Sequence, residues 1–66
     1  MRLNELKAEI VRNDLTVEEF ADVVNIPRTT IWRRFKNPNS FALSEIRAII
    51  STLKLDGKKI NDIFFC

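Results

Sequence analysis

Residues 16–36 read TVEEFADVVNIPRTTIWRRFK and decide the fold. The stretch opens on a capping box. The Thr16 hydroxyl can accept a hydrogen bond from the amide three residues on, and the Glu19 carboxylate can reach back to the Thr16 amide. A helix that starts at this cap has an apolar face formed by Phe20, Ala21 and Val24.

A second helix follows after a short turn. Asn25 tolerates the left-handed backbone that a tight turn requires, and Pro27 suits a first helical turn because its missing amide hydrogen has no partner there. The predicted helix covers residues 27–36, with Ile31 and Phe35 on its buried face. At about 100° per residue, the opposite face carries Thr29, Arg33 and Lys36, with Trp32 at its flank.

These two helices meet the mechanical needs of a helix-turn-helix at about residues 17–36. Ala21 is small enough for two helices to cross closely, Ile26 can fill the gap between them, and Ile31 can anchor the second helix. In such a motif the second helix projects from the body into the major groove of DNA. A purely structural helical hairpin has the same apolar pattern, so this pattern alone leaves both interpretations open.

The flanking sequence predicts three more helices and therefore an all-α, five-helix bundle. Apolar residues at helical spacing indicate helices at about 2–13, 42–53 and 58–65. Asn13-Asp14 and Asn37-Pro38-Asn39-Ser40 are breaks, and Asp56-Gly57 is a turn and a potential cap. The stripe of the fourth helix is expected to be Leu43, Ile46, Ile49, Ile50 and Leu53.

Length and composition restrict the classes of function. Sixty-six residues predict one domain, 1–66, and the single cysteine, Cys66, excludes a disulfide framework. Without histidine, no zinc site or Cys/His catalytic pair is expected, so we predict no metal and no cofactor. Adjacent Glu18 and Glu19 diverge on a helix, which argues against paired-acid catalysis and an enzyme.

No signal peptide or apolar run of about 18 residues occurs, which favours a cytoplasmic protein without a membrane partner.

Charge is concentrated in one segment. The net charge is only +2, but no acidic residue occurs between Asp22 and Glu45. This acid-free segment contains Arg28, Arg33, Arg34 and Lys36. A focused cationic face is what non-specific DNA affinity needs, because each neutralised phosphate releases a counterion. A solvated helix with a few arginines explains the charge alone equally well.

The stretch from Thr16 to Ile31 resembles the helix-turn-helix of phage repressor and Cro-like proteins, the lambda-repressor-like or XRE family. The later Phe41-x-Leu43-Ser44-Glu45-Ile46 and Ile60-Asn61-Asp62-Ile63-Phe64-Phe65 are similar to the rest of a short Cro-like phage regulator. The resemblance covers nearly the whole chain. It implies a transcription regulator with double-stranded operator DNA as ligand, usually bound as a homodimer, in a bacterial host cell and with no small-molecule substrate.

The resemblance also implies roles for individual residues. The family reads bases from the start of its second helix, which here gives Arg28, Thr29, Trp32 and Arg33. Arginine can pair with guanine O6 and N7, and a threonine methyl can contact a thymine methyl. Phosphate contacts are expected from Thr30, Arg34, Lys36 and Asn37.

Three positions depart from the family pattern. Val17 stands where a glutamine often holds a phosphate, Asn25 replaces a common glycine, and Arg34 occupies a usually apolar position whose anchoring Phe35 takes over. The lost phosphate contact at Val17 motivates an alternative function. In that alternative the chain is an antirepressor or modulator that binds a phage repressor protein through the same surface.

The sequence leaves the roles of two further features undecided. Trp32 has three interpretations: an aromatic that supports the second helix, a direct DNA contact, or a protein interface, where Trp and Arg are common hot spots. Phe64-Phe65-Cys66 is either the end of the core or part of a dimer contact, and Cys66 itself is interpreted as an incidental terminal thiol.

Overall fold

Five α-helices form the protein in the computed structural model, which describes residues 1–65. They are α1 (Leu3–Arg12), α2 (Val17–Val23), α3 (Arg28–Lys36), α4 (Leu43–Leu53) and α5 (Gly57–Phe64), with a 3-10 turn at Pro38–Ser40 between α3 and α4. The predicted all-α bundle is confirmed, and each predicted boundary lies within two residues of the observed one. No helix within residues 1–65 is long and apolar enough to cross a membrane.

Side-chain hydrogen bonds start α2 and α5 at the caps that the sequence predicts. The Glu19 amide donates to Thr16 Oγ1 at 3.1 Å and the Thr16 amide donates to Glu19 Oε1 at 2.9 Å, which completes the capping box of α2. Asp56 caps α5 by accepting from the Lys59 amide at 2.9 Å. Pro27 differs from expectation: its ψ of 141° is extended, so it lies just before α3 and closes the first turn only through its carbonyl, which accepts from Ile31.

Left-handed residues end three of the helices, and none is a glycine. Asp14, Asn25 and Lys54 have φ of 58°, 60° and 53°. After α2, the Ile26 amide donates to the Ala21 carbonyl at 2.9 Å and the Asn25 amide to the Asp22 carbonyl at 3.2 Å. This is a Schellman motif, which satisfies the last carbonyls of α2 and reverses the chain toward α3.

The core lies where the helices meet and contains most of the predicted apolar residues. Its largest fully buried side chains are Phe20, Leu6, Ile10, Ile31, Ile49 and Ile63. Leu43, predicted to be on the buried stripe of α4, is 63% exposed, so that prediction is wrong. The core contacts of α4 centre on Ile49 and Leu53, and Leu43 lies about 100° around the helix from their midpoint.

A buried carboxylate connects the first and last helices. Glu9 is only 5% exposed and is bound by the Arg12 guanidinium on its own helix. Lys59 of α5 places its Nζ 3.5 Å from the same carboxylate oxygen. A buried carboxylate is tolerated only when it is paired, so this cluster holds α5 against α1.

Candidate nucleic-acid interface

The outer face of α3 is polar, cationic and free of acidic side chains. Thr29, Trp32, Arg33 and Lys36 are exposed and follow one another at the i, i+3, i+4, i+7 spacing of a single helix face. We call these four residues the α3 face. The opposite side of α3 is buried through Ile31 and Phe35, so the helix has one anchored side and one presenting side, as the sequence predicts.

Aromatic contacts fix the orientation of α3. The Phe35 ring lies 5.9 Å from the Trp32 ring, edge to face, and 6.4 Å from the Phe41 ring. The Lys7 ammonium lies 5.8 Å from the Phe35 ring centroid, within cation–π range. Trp32 nevertheless remains 43% exposed. It therefore supports the helix, as one of its three interpretations expects, and its exposed indole surface is equally available to DNA or to a protein partner.

Arg34 forms an ion pair with Glu45 of α4. Its Nε and Nη2 donate to the two carboxylate oxygens of Glu45 at 3.1 and 3.4 Å. The pair is shielded, with side chains 29% and 16% exposed. Glu45 also accepts from the Ala42 amide at 2.8 Å, so one carboxylate both starts α4 and holds α3. Arg34, predicted to contact phosphate, lies in an internal bridge away from the α3 face.

The environment of Glu45 keeps it ionised. Partial burial alone raises the pKa of the Glu45 carboxyl, but the Ala42 amide and the Arg34 guanidinium outweigh burial and hold the pKa below its ordinary value of 4.5. Since the pKa is lower in the folded than in the unfolded chain, Glu45 stabilises the fold fully above pH 4.5, and this stabilisation is lost as the pH falls through the folded-state value.

Substitution of Glu45 by glutamine tests this link between α3 and α4. We expect Glu45→Gln to lower the free energy of unfolding at pH 7 by about 1–3 kcal/mol, because Arg34 loses a charged acceptor. Its stability should also fall less steeply below pH 4.5 than that of the parent. Urea unfolding at a series of pH values measures both effects. Glu18→Gln is the matched control, because Glu18 is likewise an acid in the first turn of its helix; equal losses in both variants would contradict the assignment.

Arg28 also has an acidic partner, although both side chains remain exposed. Its Nη2 donates to Asp22 Oδ2 at 2.7 Å and its Nε donates to Asp22 Oδ1 at 3.3 Å. The hydrogen bond from Arg28 holds the pKa of the Asp22 carboxyl below its ordinary range. Arg28 therefore stands at the start of α3 with one edge of its guanidinium already engaged.

The eight predicted site residues thus divide into two groups. The α3 face brings together Thr29, Trp32, Arg33 and Lys36, and exposed Asn37 follows them at the end of the helix. Within residues 1–65, neither Arg33 nor Lys36 makes an ion pair within 4.0 Å. The remaining three predicted residues lie outside this face: Arg28 and Arg34 are paired, and Thr30 is half-buried.

Sequence reasoning missed the two acidic partners. Asp22 and Glu45 are the residues that bound the acid-free segment, and each turns back to pair with the arginine nearest to it in that segment. The available signal was this flanking position, but a separation of 6 or 11 residues matches no local helical rule. Among residues 1–65, the cationic segment therefore presents two unpaired cations, Arg33 and Lys36, rather than four.

Other chemistry has little support in the described part of the chain. Among residues 1–65, no three His, Cys, Asp or Glu side chains gather to hold a metal ion. An open apolar groove of about 490 Å³ lies between the 3-10 turn, α4 and α5, where Phe41, Ile46, Ile50 and Phe64 line it. Phe65 is 76% exposed at this groove and not part of the core, whereas Cys66 lies outside the described residues.

No family model, curated protein or solved structure matches this chain. The geometry of α2 and α3 and the charges that they present are therefore the features that indicate a function.

Proposed function

We propose that this chain is a sequence-specific DNA-binding transcription regulator of Cro type, which represses by placing α3 in the major groove of operator DNA. The observation that carries the proposal is the α3 face. It places a threonine, an indole and two cations with no ion-pair partner in the described part of the chain on one side of a helix whose other side is anchored. An α-helix about 10–12 Å in diameter fits a major groove about 12 Å wide.

The roles within the α3 face follow from side-chain chemistry. Arg33, at the centre of the exposed side, pairs with guanine O6 and N7, and the Thr29 methyl contacts a thymine methyl. Lys36 and Asn37, at the end of the helix, approach the phosphates that flank the groove. The Trp32 indole contacts the groove wall. Arg34 makes no DNA contact in this proposal, because its guanidinium is already bound to Glu45.

The proposed site of action is the cytoplasm of a bacterial host cell, where operator DNA lies. Membership of the phage repressor and Cro-like family, and binding as a homodimer, belong to the same proposal. Support for the family membership comes from the order of the five helices and from the α2–α3 turn described above, and binding as a homodimer is what that membership implies. The chain acts without a cofactor, since positioning and charge suffice for DNA binding.

Fluorescence of Trp32 provides the direct test, because this is the single tryptophan in the chain. Double-stranded DNA selected by the protein from a randomised library is titrated at 50 and 200 mM salt, with shuffled DNA as the comparison. We expect a saturable change that is stronger with the selected DNA. Lys36 neutralises one phosphate per chain, whereas neutral Asn37 releases no counterion, so the predicted affinity loss over this salt range is about threefold per chain and about tenfold for a homodimer.

Lys36→Gln is the matched variant for the salt dependence. Loss of one phosphate contact should reduce the slope of log affinity against log salt by about 1. The absence of any complex at micromolar protein and 50 mM salt, by fluorescence and by gel shift, would refute direct DNA binding.

The exposed pair of Trp32 and Arg33 favours the second candidate, an antirepressor that binds a phage repressor protein. Both residue types are common hot spots of protein interfaces. The α3 face also carries only two cations that are unpaired within residues 1–65, which is few for a DNA-binding surface. This candidate predicts a stoichiometric complex with a repressor protein and little DNA binding by the isolated chain. The same titration therefore distinguishes the two candidates.

A further inference from the structure

The ion pair between α2 and α3 has a geometry that leaves part of the arginine available. Asp22 engages Nε and Nη2 of Arg28, which form one edge of the guanidinium. The adjacent edge carries the two N–H groups of Nη1 and the second N–H group of Nη2. Asp22 does not engage this edge. Guanine presents two acceptors, O6 and N7, in the major groove. Arg28 can therefore hold Asp22 and pair with a guanine at the same time.

We propose that Asp22 is a positioning residue that orients Arg28 to read a guanine in the bound DNA, and so determines specificity at that base pair. This inference rests on the proposed function and adds a residue outside α3 to it. The two residues lie on either side of the α2–α3 turn, so the Schellman motif at Asn25 sets the distance between them.

The contribution of the Arg28–Asp22 ion pair to folding stability is too small to explain why the two residues pair. The side chains of Arg28 and Asp22 are 58% and 57% exposed, and exposed ion pairs contribute little to folding because water screens them and their side chains lose rotamer freedom. The lost freedom of Arg28 has a use in recognition, however. An arginine already held in one geometry loses less entropy when it pairs with a base.

The negative charge of Asp22 also favours specific over non-specific DNA binding. Its carboxylate neutralises Arg28 and repels nearby phosphate, so Arg28 adds little to binding of arbitrary sequences. A correctly placed guanine still gains two hydrogen bonds from the free edge. Asp22 therefore raises the ratio of specific to non-specific affinity and not the total affinity.

The test uses DNA sites selected by the parent protein, with each guanine replaced in turn by 7-deazaguanine, which lacks the N7 acceptor. We expect one guanine whose replacement weakens the parent at least fivefold and leaves Arg28→Ala unaffected. At that guanine, Asp22→Ala should lose most of the discrimination and Asp22→Glu should recover part of it. Asp22→Ala should also bind shuffled DNA more tightly than the parent does.

Glu18→Gln is the matched control for charge. Glu18 lies close enough to Arg28 to favour its charged form but makes no hydrogen bond to it among the described residues. This variant should bind all DNA somewhat more tightly, with discrimination unchanged. Equal loss of discrimination in Glu18→Gln and Asp22→Ala would overturn the positioning role, as would full discrimination in Asp22→Ala. If the parent binds no DNA, the proposed function fails first, which is a separate result.

Discussion

Replacement of Phe20 by alanine is expected to remove a large fraction of the stability of the folded protein. Phe20 is the largest fully buried side chain, with no exposed surface. Removal of a buried phenyl ring costs about 3–5 kcal/mol from lost transfer energy and the remaining cavity. At about 0.05–0.15 kcal/mol per residue, the whole domain has only about 3–10 kcal/mol of stability.

Urea unfolding followed by far-ultraviolet circular dichroism measures this loss. The midpoint should move to much lower urea, or the folded baseline should disappear. Val23→Ala is the control, because Val23 lies on the same helix and is 57% exposed. It should change stability by no more than about 0.5 kcal/mol. Similar effects of both substitutions would contradict the assigned core.

Replacement of Arg33 by alanine is expected to give the largest loss of DNA affinity among single substitutions on the α3 face. Loss of one arginine–guanine pair costs about 1–3 kcal/mol, which corresponds to a loss of affinity of about 5- to 150-fold, and selectivity at one base pair should relax. The measurement is competition between selected DNA and single-base variants of it. Unfolding curves should stay near those of the parent, because Arg33 is exposed and unpaired among the described residues.

Arg47→Ala provides the matched control for charge. Arg47 is also an exposed arginine, but it lies on α4 at the edge of the apolar groove rather than on α3. Its removal lowers the net charge by the same amount and should reduce affinity only slightly, with selectivity unchanged. Unchanged operator binding by Arg33→Ala, or an equal loss with Arg47→Ala, would exclude Arg33 as a base-reading residue.

Much of the local structure could be predicted from the sequence. The capping box at Thr16 and Glu19 and the cap at Asp56 depend on groups three residues apart, so local spacing specifies them. Burial of Ile31 and Phe35 follows from the same helical periodicity. The composition of the α3 face was predictable for this reason, since residues opposite a buried pair on a helix point to solvent.

Positions at the edge of a periodic pattern were less predictable. Leu43 continues the apolar spacing of α4, yet it is exposed because the neighbouring helices contact that helix around Ile49 and Leu53. Pro27 likewise fits a helical start, but the turn from Asn25 leaves its ψ extended. Hydrophobic spacing identifies a face to within a wide arc, and the packing of neighbours decides how much of the arc is covered.

By itself, the sequence determined the five helices, the caps at Thr16 and Asp56, the left-handed turn at Asn25 and which side of α3 is buried, because these depend on groups a few residues apart. Only the tertiary structure decided which cations of the acid-free segment are free. Asp22 pairs with Arg28 across a turn and Glu45 pairs with Arg34 across two helices. The distances between these acidic and basic groups depend on how the helices cross. Coulomb attraction and hydrogen bonding act through space, so spacing along the chain does not reveal them.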